Sequence, residues 1–166
     1  MEKVLDTRKK SLKYVKLAEH MLTHTYPFVQ DSKLLLSIVE YLFLALTNGI
    51  GSLLYYERIF KRVPPFNDTF QSKLYMFENT VAKRYKIQKK DIDLMKEIRM
   101  IIVERKNSPV EFPRKDGFVI CTEDYKTRVI TPKQLRIYIN NTKLFIEELI
   151  NIVEKDDGRR IFTINT

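Results

Sequence analysis

His20 and His24 lie four residues apart, a spacing that puts two imidazoles on one side of a helix, where they could chelate a metal or work as an acid and a base. Glu19 adjoins them. A metal site ordinarily needs a third ligand, and Glu40 can supply it only if a second helix brings it alongside. Without an HExxH context, the two histidines read as side chains near a helix C-terminus, interacting with its dipole or packing under the turn. They remain weak metal candidates, and no cofactor is expected.

Glu40 stands in an otherwise apolar stretch and must be neutralised, paired or exposed at a groove, because an unpaired buried carboxylate is costly. A buried pair with an arginine is the first expectation, and an acid of raised pKa is the sharper alternative. Asn48, two helical turns on, needs a partner too: it either makes a structural hydrogen bond or joins Glu40 in a polar pocket. Cys121 is the only cysteine, which excludes an intramolecular disulfide and any zinc site with two cysteine ligands from one chain. Its apolar neighbours suggest a buried core thiol. No glycine-rich phosphate loop, GxSxG elbow or carboxylate-rich metal cluster is present.

The strongest signal is cationic. Arg99, Arg105 and Lys106 are followed by Arg114, Lys115, Lys126, Arg128, Lys133 and Arg136, with Phe112, Phe118 and Tyr125 interleaved. Arginine and lysine would take phosphates, the aromatics could stack on bases, and Thr131 opens a helix whose free amides favour an anion. The candidate nucleic-acid contacts are Arg99, Arg105, Lys106, Arg114, Lys115 and Arg128; the alternative is a solvated basic rim. Thirty Lys and Arg against 21 Asp and Glu give a net charge of +9, which raises the local concentration of polyanions. RNA, DNA, nucleotides and anionic membranes thus become candidate partners, beside a basic surface that serves only solubility.

These residues have to be held by something. A chain of 166 residues, 44% hydrophobic and 31% charged with only four glycines, suits one domain with its own core. From Glu2 to about Thr23, Leu5, Leu12, Val15 and Leu22 recur at helical spacing. Tyr26-Pro27-Phe28 should interrupt that helix, and Asp31 should cap the next. Leu34 to Tyr56 is apolar on nearly every side and long enough to span a bilayer, but Glu40 and four polar residues favour a buried central helix. Gly49 and Gly51 would let another helix approach it closely. Pro64-Pro65 ends the element; Asp68 to Gln71 reads as a capping-box variant with Phe66 as its staple, opening a third helix to about Tyr85. A fourth helix over about 91–106, separate from or continuous with the third, follows the break at Lys86 to Lys90. A small β-hairpin is expected over 117–131. Thr131-Pro132-Lys133-Gln134 is the clearest helix start, and Gly158 a plausible stop before a tail at 159–166, free or docked as a strand.

The expected fold is all-α: an antiparallel bundle of about four to five helices over 1–158, with the hairpin inserted before the last. The stretch Ile38-Val-Glu-Tyr-Leu-Phe-Leu-Ala-Leu-Thr-Asn48 and the segment Lys96-Glu-Ile-Arg-Met-Ile-Ile-Val-Glu-Arg-Lys-Asn107, in that order of elements, resemble the HEPN family of helical bundles. Active members carry an arginine separated by four to six residues from a histidine, acting on RNA at a dimer interface. Arg99 matches the arginine, while Glu104, Arg105 and Lys106 stand where the histidine would be. The resemblance therefore implies a homodimer that associates with RNA or a nucleotide in a binding, regulatory or toxin-antitoxin-associated role, while the single cysteine and a charged N-terminus that does not read as a secretory signal suit a reducing, cytoplasmic home. The alternatives are a protein-interaction subunit and an enzyme, either a divergent ribonuclease or a metal-dependent hydrolase using His20, His24 and Glu40.

Overall fold

The computed structural model describes the backbone of residues 1–164 and the side chains of 1–158. The described residues form five helices and a three-stranded antiparallel sheet placed before the last helix. Helix α1 is continuous over 2–29: regular turns at Glu2–His20, a π-helical turn at Met21–Thr25, and regular turns again at Tyr26–Val29. Val4, Thr7, Ser11, Val15, Ala18 and Leu22 make its buried stripe. The interruption expected at Pro27 does not occur. A proline inside a helix lacks an N–H and crowds the carbonyl four residues back. The π turn, in which Tyr26 N–H reaches the Met21 carbonyl, loosens the ladder just before it. The helix stops instead at Gln30, in the left-handed region at φ 52°. The cap position of the next helix falls on Ser32, one residue after the Asp31 expected there, and Asp31 Oδ1 accepts from Lys33 N–H at 2.9 Å from just outside it.

Helix α2, Lys33–Ile59, is long and apolar enough to cross a membrane, and here it is the centre of the bundle. Leu35, Ile38, Leu42, Leu46, Ile50, Leu53 and Leu54 are fully buried. A Cβ on Gly49 would stand 3.1 Å from Ser11 Oγ and 3.4 Å from Ile146, so this glycine admits both α1 and the last helix; Gly51 has ordinary room. Helix α3 runs over 70–85, again through a π turn, Phe77–Val81. Its cap is Thr69, whose Oγ1 accepts from Ser72 N–H, while Asp68 turns away to Lys73 at 2.6 Å and Tyr55 at 2.7 Å. Phe66 stacks on Tyr55. Hydrogen bonds from Lys73, the largest cause, from the Tyr55 hydroxyl and from Lys3 hold the Asp68 carboxyl well below the usual carboxylate range, against the smaller opposing effect of burial. Lys86, at φ 54°, closes α3, so α4 at Lys89–Asn107 is a separate helix.

The insertion has three strands where a hairpin was expected: β1 Val110–Arg114, β2 Gly117–Cys121 and β3 Thr127–Ile130, in the order β1-β2-β3. Strand β1 is masked in the sequence by Pro113, which a sheet tolerates because β1 is an edge. The register pairs Pro113 with Phe118 and Phe118 with Ile130. Phe118, Ile120 and Ile130 are buried against the helices. Gly117 is required where it stands, since a Cβ there would lie 2.2 Å from the Ile130 carbonyl oxygen.

Helix α5, Pro132–Ile164, starts as expected, with Thr131 Oγ1 accepting from Gln134 N–H at 3.2 Å. It does not stop at Gly158. A helical glycine costs about 1 kcal/mol relative to alanine, which a long cooperative helix absorbs when no proline follows and the glycine takes no positive φ. The expected tail is therefore helical through 164, and 165–166 lie outside the described residues.

Candidate nucleic-acid interface

The fold divides the six candidate cations into two kinds. Arg105, on α4, bonds Glu40 on α2 at 2.8 Å and reaches Glu111 on β1 at 3.5 Å. Arg128, on β3, lies between two acids of α4, Glu97 at 2.5 Å and Glu104, and touches the Met100 sulfur. Its pKa is raised, the Glu104 hydrogen bond being the largest cause. Arg128 thus pins the sheet to α4, and Arg105 ties α4 to both α2 and the sheet. Arg99 bonds the Gln71 side chain and sits 5.4 Å over the Phe70 ring. By contrast, Lys106, Arg114 and Lys115 are exposed and enter no ion pair among the described residues.

Glu40 does find an arginine, but at the surface: its side chain is 53% exposed. It forms the rim of a cleft of about 580 Å³ floored by Leu36, Val39 and Ile101, with Arg105, Lys106 and Glu111 completing the rim. Asn48 lies outside this cleft; its Nδ2 donates to the Leu44 carbonyl of its own helix at 2.7 Å, the structural hydrogen bond. His20 and His24 stack at 4.8 Å between centroids and are exposed. Glu19 pairs with Lys143 and Glu40 with Arg105, and no group of three metal-binding side chains exists among the described residues. Cys121 is half-buried, less enclosed than expected, because it ends a strand beside the exposed turn.

The aromatics separate just as sharply. Phe118 is 1% exposed and belongs to the core, so it cannot stack on a base. Phe112 is 44% exposed and Tyr125 95% exposed. Tyr125 occupies the left-handed region at φ 58°, on the β2–β3 turn held by Thr122 N–H to the Lys126 carbonyl at 2.8 Å and Tyr125 N–H to the Thr122 carbonyl at 3.0 Å. A bulky residue there is unusual, and it presents the ring outward from a braced turn.

One cluster was not foreseen. Glu57, at the end of α2, is fully buried and receives Arg62 at 2.9 Å, Arg84 and the Tyr85 hydroxyl at 2.7 Å. Arg62 also holds Asp156 of α5 at 3.0 Å, and the Tyr56 hydroxyl lies 2.8 and 2.6 Å from Asp156 and Asp157. Burial and the Glu57 carboxylate push the Tyr85 hydroxyl up to about 12; burial, ahead of the two aspartates, raises Tyr56 further. Charges taken from α2, α3 and α5 and the turn after α2 satisfy one another here, which is a lock between elements. The only signal in the sequence is a glutamate placed directly after the apolar run and five residues before an arginine. No known family's sequence model matches the chain, and no curated protein sequence matches it.

Proposed function

We propose that this protein is a HEPN-like helical module that binds single-stranded RNA or a nucleotide through the exposed turns of its sheet, as a binding or regulatory component. The observation that carries this reading is Tyr125, 95% exposed on a braced turn beside Lys126, with Arg114 and Lys115 exposed on the β1–β2 turn at the other end of the same sheet, all three cations outside any ion pair among the described residues. Stacking of a base on an aromatic ring is worth about 1–3 kcal/mol, and neighbouring cations follow the phosphates without reading sequence. Arg99, the position that resembles the family's arginine, is engaged with Phe70 and Gln71. Glu104 and Arg105, at two of the histidine's places, are committed to Arg128 and to Glu40 and Glu111. These engagements favour binding over cleavage.

The test is anisotropy of a labelled single-stranded RNA across a salt series, with the RNA checked for cleavage. Tyr125→Ala should weaken binding about 5- to 150-fold, and Arg114→Gln with Lys115→Gln should flatten the salt dependence. Unchanged binding in both would overturn the reading, and cleavage would return it to the enzyme class. A second reading, an oligomerising subunit, is favoured by Ile137 and Leu144, 53% and 64% exposed and seven residues apart on α5, a spacing that suits a second helix. Light scattering decides it: a dimer lost in Leu144→Glu supports it, and a strict monomer removes it.

A further inference from the structure

We infer that the outward face of α1 is a second interaction surface, one that tracks the phosphate backbone of double-stranded nucleic acid. Lys9, Lys13, Lys16 and His20 follow one another at intervals of four, three and four residues, so they form one line along the helix, opposite the buried stripe. All four are exposed, and the three lysines enter no ion pair among the described residues. Their neighbours on α1 behave differently: Lys3 is tied to Asp68, Arg8 to Glu154 and Lys10 to Asp6. The line is thus cationic charge that the fold leaves without counter-charge, whereas Arg105 and Arg128 are each flanked by two carboxylates.

Its chemistry points to a backbone and away from bases. From Lys9 to His20 the line measures about 16 Å at 1.5 Å per residue, a length over which a duplex presents on the order of nine phosphate charges. No exposed aromatic lies along it, since Tyr14 is half-buried and stacked with Tyr41. A surface with cations but no stacking ring suits a partner whose bases are already hidden in a helix. Lysine, a compact charge on a flexible stem, adapts to phosphates without fixed geometry. Leu12 and Leu17 flank the line, but lysines occupy its centre, so insertion among lipid chains would bury charge. The inference shares the ligand class of the function proposed above and uses a different face.

The experiment compares two full-length triple variants that remove the same charge. One is Lys9→Gln, Lys13→Gln, Lys16→Gln; the other is Lys83→Gln, Lys89→Gln, Lys90→Gln, exposed lysines about the α3–α4 turn. Binding to a labelled duplex RNA is measured across salt, with circular dichroism as a check on folding. For the α1 variant the slope of log affinity against log salt should shrink by about 2 to 3, close to one released counterion per lysine, and for the other by less than about 1. Equal effects would mean net charge alone and overturn the inference. So would duplex binding unaffected by the α1 variant, a wild-type protein that does not bind duplex, or loss confined to vesicles of anionic phospholipid. Lys13→Glu alone, expected to weaken duplex binding, decides the matter should the triple variant not fold. Tyr125→Ala should spare duplex binding, so failure at the sheet and failure at α1 are read separately.

Discussion

Replacing Glu57 by glutamine tests the lock at the end of α2. Removing one partner of a buried ion pair typically costs 3–5 kcal/mol, because the other charge is left uncompensated. Here the cost should be smaller. Arg62 keeps Asp156 at 3.0 Å, and the Arg62 and Arg84 side chains are 25% and 40% exposed, so water reaches both. Glutamine also retains an oxygen for the Tyr85 hydroxyl. About 2–3 kcal/mol is expected, which for a chain of this size lowers Tm by roughly 4 to 12 °C. Thermal unfolding followed by circular dichroism reads this directly. Adding Arg84→Met should recover part of the loss, since it removes the stranded cation. A second readout concerns Tyr85, held near 12 by burial and Glu57. A hydroxyl whose folded pKa is raised contributes stability that is fully present below its unfolded value near 10 and is lost as pH climbs towards 12. In Glu57→Gln the ultraviolet titration of Tyr85 should move down and the alkaline loss of stability should become shallower. A Tm within about 2 °C of wild type, with Tyr85 titrating unchanged, would refute the buried carboxylate as the organiser of this junction.

Three further outcomes follow from burial. Thr142 is fully buried on α5 and its hydroxyl meets no hydrogen-bond partner, so Thr142→Val should raise stability by about 1 kcal/mol in urea unfolding; destabilisation would show that the hydroxyl is satisfied. Burial raises the pKa of Asp91, so its charged form is disfavoured in the folded state and stability falls as pH rises from below about 3.9 through the raised value. Asp91→Asn should therefore increase Tm at pH 7, with the difference closing in strong acid; an equal gain at every pH would point to another cause. Phe118→Ala should cost about 3–5 kcal/mol while Tyr125→Ala leaves Tm unchanged, the two aromatics of one sheet having opposite roles.

How far the sequence announced all this depends on the range over which each signal acts. The bundle, the central helix, the separation of α3 from α4 and the Thr131 cap are written in periodicity and local chemistry, which act over a few residues. The β1 strand was hidden by Pro113, because a rule against proline in strands does not know which strand is an edge. The expected break at Pro27 failed for a related reason: a π turn is a cooperative adjustment with little local signature. For the interface, the count of cations drew attention to α4 and the sheet, although the sheet stretch also carries Glu111, Asp116, Glu123 and Asp124. That count could not reveal that Glu97 and Glu104 would meet Arg128, or that Glu40 would meet Arg105, since those partners are 24 to 65 residues apart in pairs that only the tertiary fold assembles. The unpaired lysines of α1 looked ordinary in sequence for the same reason: being unpaired is a property of the surroundings.

The place of α2 in the chain has a consequence for biosynthesis. This helix, apolar along most of its length, is complete by Ile59, whereas α5, which closes over it, ends near residue 164. At about 5–20 residues per second, roughly a hundred further residues take on the order of 5–20 s to translate. At the start of that interval α1, made just before, is the element on hand to shield α2, and α3, α4 and the sheet join it as they are made. A ribosome paused between α2 and α5 would display a segment with the length and hydropathy of a membrane anchor. The α1–α2 pair therefore has to form early as a helical hairpin, and the nascent chain is a natural client for holdase chaperones until its last helix emerges.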